Sequence, residues 1–128
     1  MKICIIQSLT NKNITDKVAL KAINYLKKNK AKYEIFNVSG SYEIPVIISI
    51  LQKKFDGFIA IGCILKGKTD NYDIISRSIS ISILNLSVKI KKPIGYAIIT
   101  CSNIKQAYTR LNYGLKAAES VYKIIKDF

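Results

Sequence analysis

One nearly uninterrupted apolar segment, residues 55–65 with the sequence FDGFIAIGCIL, limits the folds open to this chain. It does not alternate apolar and polar residues, as a strand with one face in water would. A strand of this kind belongs in the middle of a parallel sheet that is covered on both faces. Parallel strands need long crossover connections, which are usually helices.

The rest of the chain supplies the other parts of such a fold. Further strand-like apolar runs occur at 2–7, 33–38 and 91–100. Helical periodicity occurs at 14–30 and 102–128, with an interruption near 112–114, and residues 42–54 read as a helix with Pro45 in its first turn. Strand and helix therefore alternate four times, which predicts an α/β fold in three layers, with a parallel sheet between two layers of helices. At 128 residues the chain has the length of one domain, which we assign to residues 1–128.

Residues 77–90, RSISISILNLSVKI, alternate serine with aliphatic residues and by themselves read as a strand. Their length and the need for a crossover favour a helix instead. As a helix, the segment has two apolar stripes. The first is Ile75, Ile79, Ile83, Leu86 and Ile90, and the second is Ile74, Ile81, Leu84 and Val88. Two apolar faces need two partners, and we expect the chain's own sheet and a neighbouring subunit.

The net charge of +13 raises the question of nucleic-acid binding. Only Arg77 and Arg110 are arginines, and the lysines are scattered along the chain. Specific contacts to bases and phosphates favour arginine, so we expect no nucleic-acid partner. No apolar stretch approaches the roughly 20 residues that span a bilayer, and MKICIIQ lacks the layout of a signal peptide. We therefore expect a soluble, cytoplasmic protein with no membrane association.

Two residue types restrict the chemistry. Cys4, Cys63 and Cys101 lie in or beside apolar runs without CxxC spacing, which predicts buried free thiols rather than metal ligands or disulfides. The chain has no histidine, which excludes catalytic triads and proton shuttles that use imidazole.

Residues 62–69, GCILKGKT, satisfy the P-loop pattern G-x-x-x-x-G-K-[ST]. Three of the four intervening residues are apolar and continue the strand, and no other apolar strand ends in the aspartate that would hold magnesium. Nucleotide hydrolysis is therefore disfavoured. The remaining turn, 66–69, has the composition to hold one small phosphate through N–H groups, a hydroxyl and nearby cations. Four loops, 8–13, 38–45, 62–71 and 99–103, should meet at the carboxyl ends of the strands, where ligands bind in such folds.

The chain resembles the lumazine synthase family of riboflavin biosynthesis. VSGSYEIP (38–45) is similar to the family's V-P-G-A-F-E-I-P, and GCILKGKTDNYD (62–73) to G-x-V-I-R-G-x-T-x-H-Y-D. NKNIT (11–15) and KPIGYAIITCSNIKQA (92–107) match further motifs, followed by Arg110. The resemblance implies a flavodoxin-like sheet of order 2-1-3-4. It also implies condensation of 5-amino-6-(ribitylamino)uracil with 3,4-dihydroxy-2-butanone 4-phosphate, without a metal or redox cofactor.

The resemblance also implies the site residues and partners. Residues implied for the pyrimidine and its ribityl chain are Thr10, Asn11, Ser41, Tyr42, Glu43, Cys63, Ile64, Leu65 and Tyr96. Residues implied for the phosphate are Lys66, Gly67, Lys68, Thr69 and Arg110. Tyr96 and Arg110 would come from a neighbouring subunit of a homopentamer or a multiple of it, and riboflavin synthase is a candidate protein partner. Ser41 has an alternative role in capping the following helix.

Three positions depart from the family pattern. Thr10 replaces a stacking aromatic residue, Tyr113 falls where a lysine is expected, and Asn71 occupies the position of the proton-transferring histidine. An amide orients by hydrogen bonding but does not accept and return a proton at neutral pH. Asp70 or Asp73 could substitute as the base, although an aspartate at the position of Asp73 more often stabilises the first turn of a helix. The hypotheses are a lumazine synthase with a reduced rate and, alternatively, a shell-forming homologue that binds lumazines or flavins without efficient turnover.

Overall fold

A four-stranded parallel sheet of order β2-β1-β3-β4 forms the centre of the computed structural model, which describes residues 1–128. The strands are β1 (Lys2–Ser8), β2 (Lys32–Val38), β3 (Gly57–Leu65) and β4 (Ile94–Cys101). The helices are α1 (Lys12–Lys28), α2 (Ile44–Leu51), α3 (Tyr72–Ile90), α4 (Ile104–Tyr108) and α5 (Tyr113–Asp127). Single 3₁₀ turns cover Ser41–Glu43 and Lys66–Lys68. The predicted α/β class and the order 2-1-3-4 are confirmed.

Strand β3 is buried along its whole length, as its sequence predicts, because it lies between β1 and β4 and under helices on both faces. Its side chains alternate between two cores. Ile59, Ile61 and Cys63 contribute to the core under α1 and α5, and Phe58 and Ile64 to the core under α2 and α3. The first core has 18 buried residues and the second has 11, so the α2–α3 side is less completely covered.

Helix α3 confirms the helical interpretation of the serine-rich segment. Its first stripe faces the sheet, where Ile79 and Ile83 are buried and Ile75, Leu86 and Ile90 pack at the edge of the core. The second stripe is exposed, with accessible fractions of 67% for Ile74, 53% for Ile81, 65% for Leu84 and 71% for Val88. Val46 and Ile50 of α2 are also exposed on this side of the molecule. A contiguous exposed apolar surface commonly marks an interaction site. The neighbouring subunit that we expect as the second partner of α3 stays a prediction.

The element boundaries differ from the sequence expectations in places that have a physical cause. Helix α3 ends where Lys91 adopts a left-handed conformation with φ of 57°, and Pro93 has no N–H to donate, so β4 begins at Ile94 rather than at residue 91. Residues 42 and 43 belong to a 3₁₀ turn, and α2 begins at Ile44 with Pro45 in its first turn. None of the helices combines the length and apolar character needed to span a membrane.

Helices α1 and α5 approach each other closely at Gly114. A Cβ atom at this position would lie 2.0 Å from the carbonyl oxygen of Val18, far inside any van der Waals contact. Glycine is therefore the residue that lets α5 lie against α1 and close the larger core.

Gly114→Ala should lower the free energy of unfolding by about 1–3 kcal/mol, because the added methyl group forces the two helix backbones apart. Urea unfolding followed by circular dichroism measures this. Gly67→Ala is the matched control, since the nearest atom to a Cβ there is 4.0 Å away and φ is not positive. Equal losses in the two variants would show that α1 and α5 are not tightly packed.

Candidate active site

A cavity of about 130 Å³ opens at the carboxyl ends of the strands. Loops after β1, β2 and β3 and the first turns of α3 form its walls. The lining residues are Thr10, Gly40, Ser41, Tyr42, Cys63, Ile64, Thr69, Ile75 and Ile79. All four predicted loops lie at the carboxyl ends of the strands, but only those after β1, β2 and β3 contribute lining residues to the cavity.

Two residues after β1 tie the first loop to its neighbours. Asn11 adopts a left-handed conformation with φ of 57°, which asparagine tolerates better than most residues, and its Nδ2 donates to the carbonyl oxygen of Cys63 at 2.9 Å. The hydroxyl of Thr10 donates to the carbonyl oxygen of Ser39 at 2.8 Å. Asn11 therefore supports the site from behind, while Thr10 lines it.

The start of α1 is anchored by a side-chain network that sequence reasoning missed. Buried Gln7 donates to Asp16 Oδ1 at 2.7 Å and to Thr15 Oγ1 at 3.2 Å, and Thr15 donates to the carbonyl oxygen of Ser8 at 2.8 Å. Hydrogen bonds from Lys12 and then Gln7 lower the pKa of Asp16 below its usual value. The only sign of this network in the sequence is that Gln7 is a polar residue at the end of an apolar run.

The 3₁₀ turn Ser41–Glu43 lies directly on β3. The Oγ atom of Ser41 sits where a Cβ atom of Gly62 would project, 2.1 Å from that position. Gly40, not Ser41, precedes the turn as its cap, and the Ser41 hydroxyl makes no capping bond. The capping role considered for Ser41 is therefore wrong. Glu43 accepts a hydrogen bond from Ser39 Oγ at 2.9 Å and borders Gly40.

The carboxyl end of β3 contributes unequally to the cavity. Cys63 and Ile64 line it, whereas Leu65 is buried in the core under α1 and α5 and does not. Burial, together with the neighbouring Cys101 thiol, raises the pKa of Cys63 to about 12. The thiol is therefore protonated at neutral pH and is no nucleophile. All three cysteines are buried and free, as predicted.

The turn after β3 is too short to be a P-loop. The strand continues through Leu65, and only Lys66–Lys68 form a 3₁₀ turn. Lys66, Gly67 and Lys68 are exposed, and Thr69 lines the cavity. The turn also lies beside the loop after β4, because a Cβ atom at Gly67 would be 4.0 Å from the carbonyl oxygen of Ser102.

Asn71 precedes the first turn of α3 in a left-handed conformation with φ of 55°. Its side chain is exposed, caps no N–H group and does not line the cavity. Asp73 lies in the first turn of α3, where a carboxylate stabilises the positive end of the helix dipole. No three side chains of His, Cys, Asp or Glu are grouped as metal ligands.

Arg110 and Tyr96, which are predicted to act across a subunit boundary, also lie outside the cavity of their own chain. Arg110 is partly buried and donates to the carbonyl oxygen of Thr100 at 2.5 Å, near the carboxyl end of β4. Tyr96 is five residues before the end of β4, about 16 Å along the strand, and packs on the α2–α3 core. Burial raises the pKa of Tyr96, and a hydrogen bond with Ser80 partly opposes this. Tyr113, at the start of α5, is exposed and also lies outside the cavity.

The strand order reverses between β1 and β3, and a crevice at that point is where doubly wound proteins bind ligands. The sheet and the cavity thus define a doubly wound α/β protein with a candidate site at its topological switch point. The family model of 6,7-dimethyl-8-ribityllumazine synthase matches residues 1–128. The chain belongs to this family, which confirms the resemblance seen in its motifs.

Curated relatives agree with this assignment, and each of the following carries the name 6,7-dimethyl-8-ribityllumazine synthase. The protein of Limosilactobacillus reuteri is 34% identical over 84% of this chain and 71% of its own length. That of Buchnera aphidicola subsp. Baizongia pistaciae is 37% identical over 96% and 84%, and that of Bartonella bacilliformis is 31% identical over 88% and 76%. Among solved structures, an ABC domain in complex with L-Trp from Streptococcus pneumonia covers 99% of this chain and 41% of that chain, with a TM-score of 0.48 and 15% identity. This last likeness is too low to carry an argument.

The native protein should react negligibly with a thiol reagent at pH 8, because Cys4 and Cys63 have pKa values of about 12 and all three thiols are buried. Absorbance after addition of Ellman's reagent measures this. In denaturant, all three thiols should react. Ser120→Cys, on the exposed face of α5, is the positive control and should react at once. Rapid labelling of the unaltered native protein would contradict this account of the site.

Proposed function

We propose that this chain is a 6,7-dimethyl-8-ribityllumazine synthase. It would condense 5-amino-6-(ribitylamino)uracil with 3,4-dihydroxy-2-butanone 4-phosphate, giving the lumazine, inorganic phosphate and two waters. One observation carries the proposal beyond family membership. Residues from three separate loops that the resemblance implies for the substrates line a single cavity, namely Thr10, Ser41, Tyr42, Cys63, Ile64 and Thr69.

The two sides of the cavity suit different parts of the substrates. Ile64, Ile75 and Ile79 offer an apolar surface for a flat heterocycle. Gly40 and Ser41, with Glu43 beside them, offer polar groups for the ribityl hydroxyls. The turn that ends at Thr69 carries two lysines for a phosphate. We expect the butanone phosphate to lie at this turn, with its carbonyl directed toward the pyrimidine amine.

Holding the two reactants together supplies most of the catalysis in this proposal. Orientation of two reactants contributes up to about 7–11 kcal/mol, whereas general acid–base catalysis typically contributes about 10²- to 10⁴-fold. Asn71 keeps the left-handed backbone that asparagine and histidine both adopt more readily than most residues. Its amide orients groups by hydrogen bonding, and water or the substrate phosphate carries the protons. The enzyme is therefore active but slow.

The unaltered protein should form lumazine faster than the uncatalysed mixture of both substrates, and Asn71→His should raise kcat by up to about 10²- to 10⁴-fold. The imidazole should also add a titration near about pH 6.5 to the pH dependence of the rate, beyond the titration of the substrate phosphate near about 6 that the unaltered protein shows. Lumazine fluorescence followed over time measures both effects. Asn71→Ala is the control for loss of the amide alone.

The same experiment decides between two candidate functions. The second candidate is a homologue that binds lumazines or flavins and forms a shell without efficient turnover. Asn71 is the observation that favours it, because its amide does not transfer protons and the lining of the cavity contains no carboxylate, imidazole or amine that could replace it. A rate equal to the uncatalysed one, combined with tight lumazine binding, would support this second function and overturn the first.

We also propose that the site is shared between subunits of a homopentamer or a multiple of it. Three observations support this. The second stripe of α3 is uncovered, and the cavity of about 130 Å³ is below the roughly 300 Å³ of ordinary ligand pockets. Tyr96 and Arg110 do not reach the cavity of their own chain. Each would complete the site of a neighbouring subunit.

Arg110→Ala should raise KM for the butanone phosphate by about 10- to 100-fold and leave KM for the pyrimidine nearly unchanged, because hydrogen bonds to charged groups are worth about 1.5–3 kcal/mol. Steady-state kinetics with each substrate varied in turn measures the difference. Arg110→Lys keeps the charge but loses the planar fork, so it should fall in between.

Mixed assemblies test whether the site is shared. Coexpressed Arg110→Ala and Thr69→Val subunits should recover part of the activity at low butanone phosphate, because some hybrid sites combine an intact Arg110 with an intact Thr69. Equal losses for both substrates, or no recovery in the mixture, would show that Arg110 does not bind phosphate across a subunit boundary.

The remaining parts of the proposal concern location and partners. We propose a cytoplasmic enzyme that acts on small molecules without a resident cofactor, with riboflavin synthase as the candidate protein partner. The scattered distribution of the lysines along the chain supports the absence of a nucleic-acid partner.

A further inference from the structure

Helix α4 is the shortest α-helix of the protein and the only one that a side chain caps. It has five residues, and Ala107 is the single buried residue among them. Isolated helices shorter than about 12 residues are marginal in water. The cap is Asn103, whose Oδ1 accepts a hydrogen bond from the N–H of Gln106 at 2.9 Å. Hydrogen bonds therefore do for α4 what apolar packing does for the longer helices.

Gln106 completes the cap in the opposite direction. Its side-chain Oε1 accepts a hydrogen bond from the N–H of Ser102 at 2.8 Å. Its carbonyl oxygen accepts hydrogen bonds from the N–H of Thr109 at 3.0 Å and from the Thr109 hydroxyl at 2.6 Å. This reciprocal arrangement is a capping box, except that the glutamine reaches the N–H group one residue before the cap. Gln106 is thus joined both to the loop that leaves β4 and to the segment that leads to Arg110.

Arg110 follows this segment and is tied to both of its ends. Its N–H donates to the carbonyl oxygen of Ala107 at 3.0 Å, and its Nη1 donates to the carbonyl oxygen of Thr100 at 2.5 Å. A guanidinium has five N–H groups, and the contact with Thr100 uses one of them. The chain between Thr100 and Arg110 therefore closes on itself, and the conformation of this closed segment places the guanidinium.

Residues 102–106 have no buried side chain that could fix their backbone. The two side-chain hydrogen bonds of the capping box are therefore the contacts that hold the first turn of α4 in place. A long arginine side chain loses conformational freedom when it binds an anion, and the loss is smaller when the side chain is already held in position. A fixed first turn of α4 should thus favour anion binding by Arg110.

We propose that Asn103 and Gln106 are positioning residues for the phosphate of the butanone substrate and act through Arg110. Neither touches a reacting atom. They fix the start of α4, and the position of α4 determines where the guanidinium meets the phosphate. The inference rests on the proposed function, which supplies the phosphate.

Steady-state kinetics of the full-length protein, with each substrate varied in turn, tests the inference. Gln106→Leu removes the acceptor for the N–H of Ser102, and Asn103→Ala removes the cap of α4. Each variant should raise KM for the butanone phosphate about 3- to 10-fold, the value of one neutral hydrogen bond, and change KM for the pyrimidine by less than about 2-fold. Asn103→Ser keeps an oxygen that caps the helix and should restore the low KM.

Gln52→Leu is the matched control. The Gln52 side chain donates only to the carbonyl oxygen of Ser49, at the end of α2, and its loss should change neither KM.

A double variant separates positioning from a merely structural role. If Gln106 acts through Arg110, adding Gln106→Leu to Arg110→Ala should raise KM for the butanone phosphate little further, because the two effects are not independent. Independent effects would multiply. Thermal unfolding of every variant reports on folding, and Asn103→Ala takes the place of Gln106→Leu if the latter does not fold.

The inference is wrong if Gln106→Leu and Asn103→Ala leave KM for the butanone phosphate unchanged, if both substrates are affected equally, or if the losses multiply in the double variant. Calorimetric titration with inorganic phosphate repeats the comparison without turnover, and the same variants should weaken phosphate binding. Absence of lumazine formation by the unaltered protein would overturn the proposed function, and the phosphate titration would then decide alone whether Asn103 and Gln106 position Arg110.

Discussion

Complete burial of β3 is the constraint on which the rest of the structure depends. Because each face of this strand needs its own apolar cover, α1 and α5 pack on one side and α2 and α3 on the other. Strand β3 then ends at Leu65, where the chain leaves the core. The turn that follows lies at the carboxyl-terminal edge of the sheet. The cavity lies at this edge because β3 reaches it between the loops that follow β1 and β2.

The sequence predicted the fold well because its signals were local and redundant. The apolar run of β3 identifies a central strand, and two stripes at helical spacing identify α3 despite its alternating serines. The ends of the helices and strands were predicted less accurately, because they depend on single backbone conformations such as the left-handed one of Lys91. The contact of Gly114 with Val18 could not be predicted, since it joins residues that are distant along the chain.

The site was predictable only in part. Motif resemblance named residues of three loops that line one cavity in the structure, from Thr10 to Thr69, and their roles toward a substrate stay a prediction. It did not distinguish Ile64, which lines the cavity, from Leu65, which the alternation of the strand directs into the opposite core. Neither did it reveal the polar network of Gln7 and Asp16 or the contact of Ser41 with Gly62, because both depend on distances in space rather than on residue type.

The backbone at Asn71 has a consequence for the history of this protein. Asparagine and histidine codons differ by a single base, and both residues are enriched in the left-handed conformation found at this position. Replacing one residue by the other would leave the backbone before the first turn of α3 unchanged. Either substitution can therefore occur without destabilising the fold. The chain thus stands one nucleotide from an imidazole at this position, and selection for flux through the reaction, rather than folding, would decide which residue is kept.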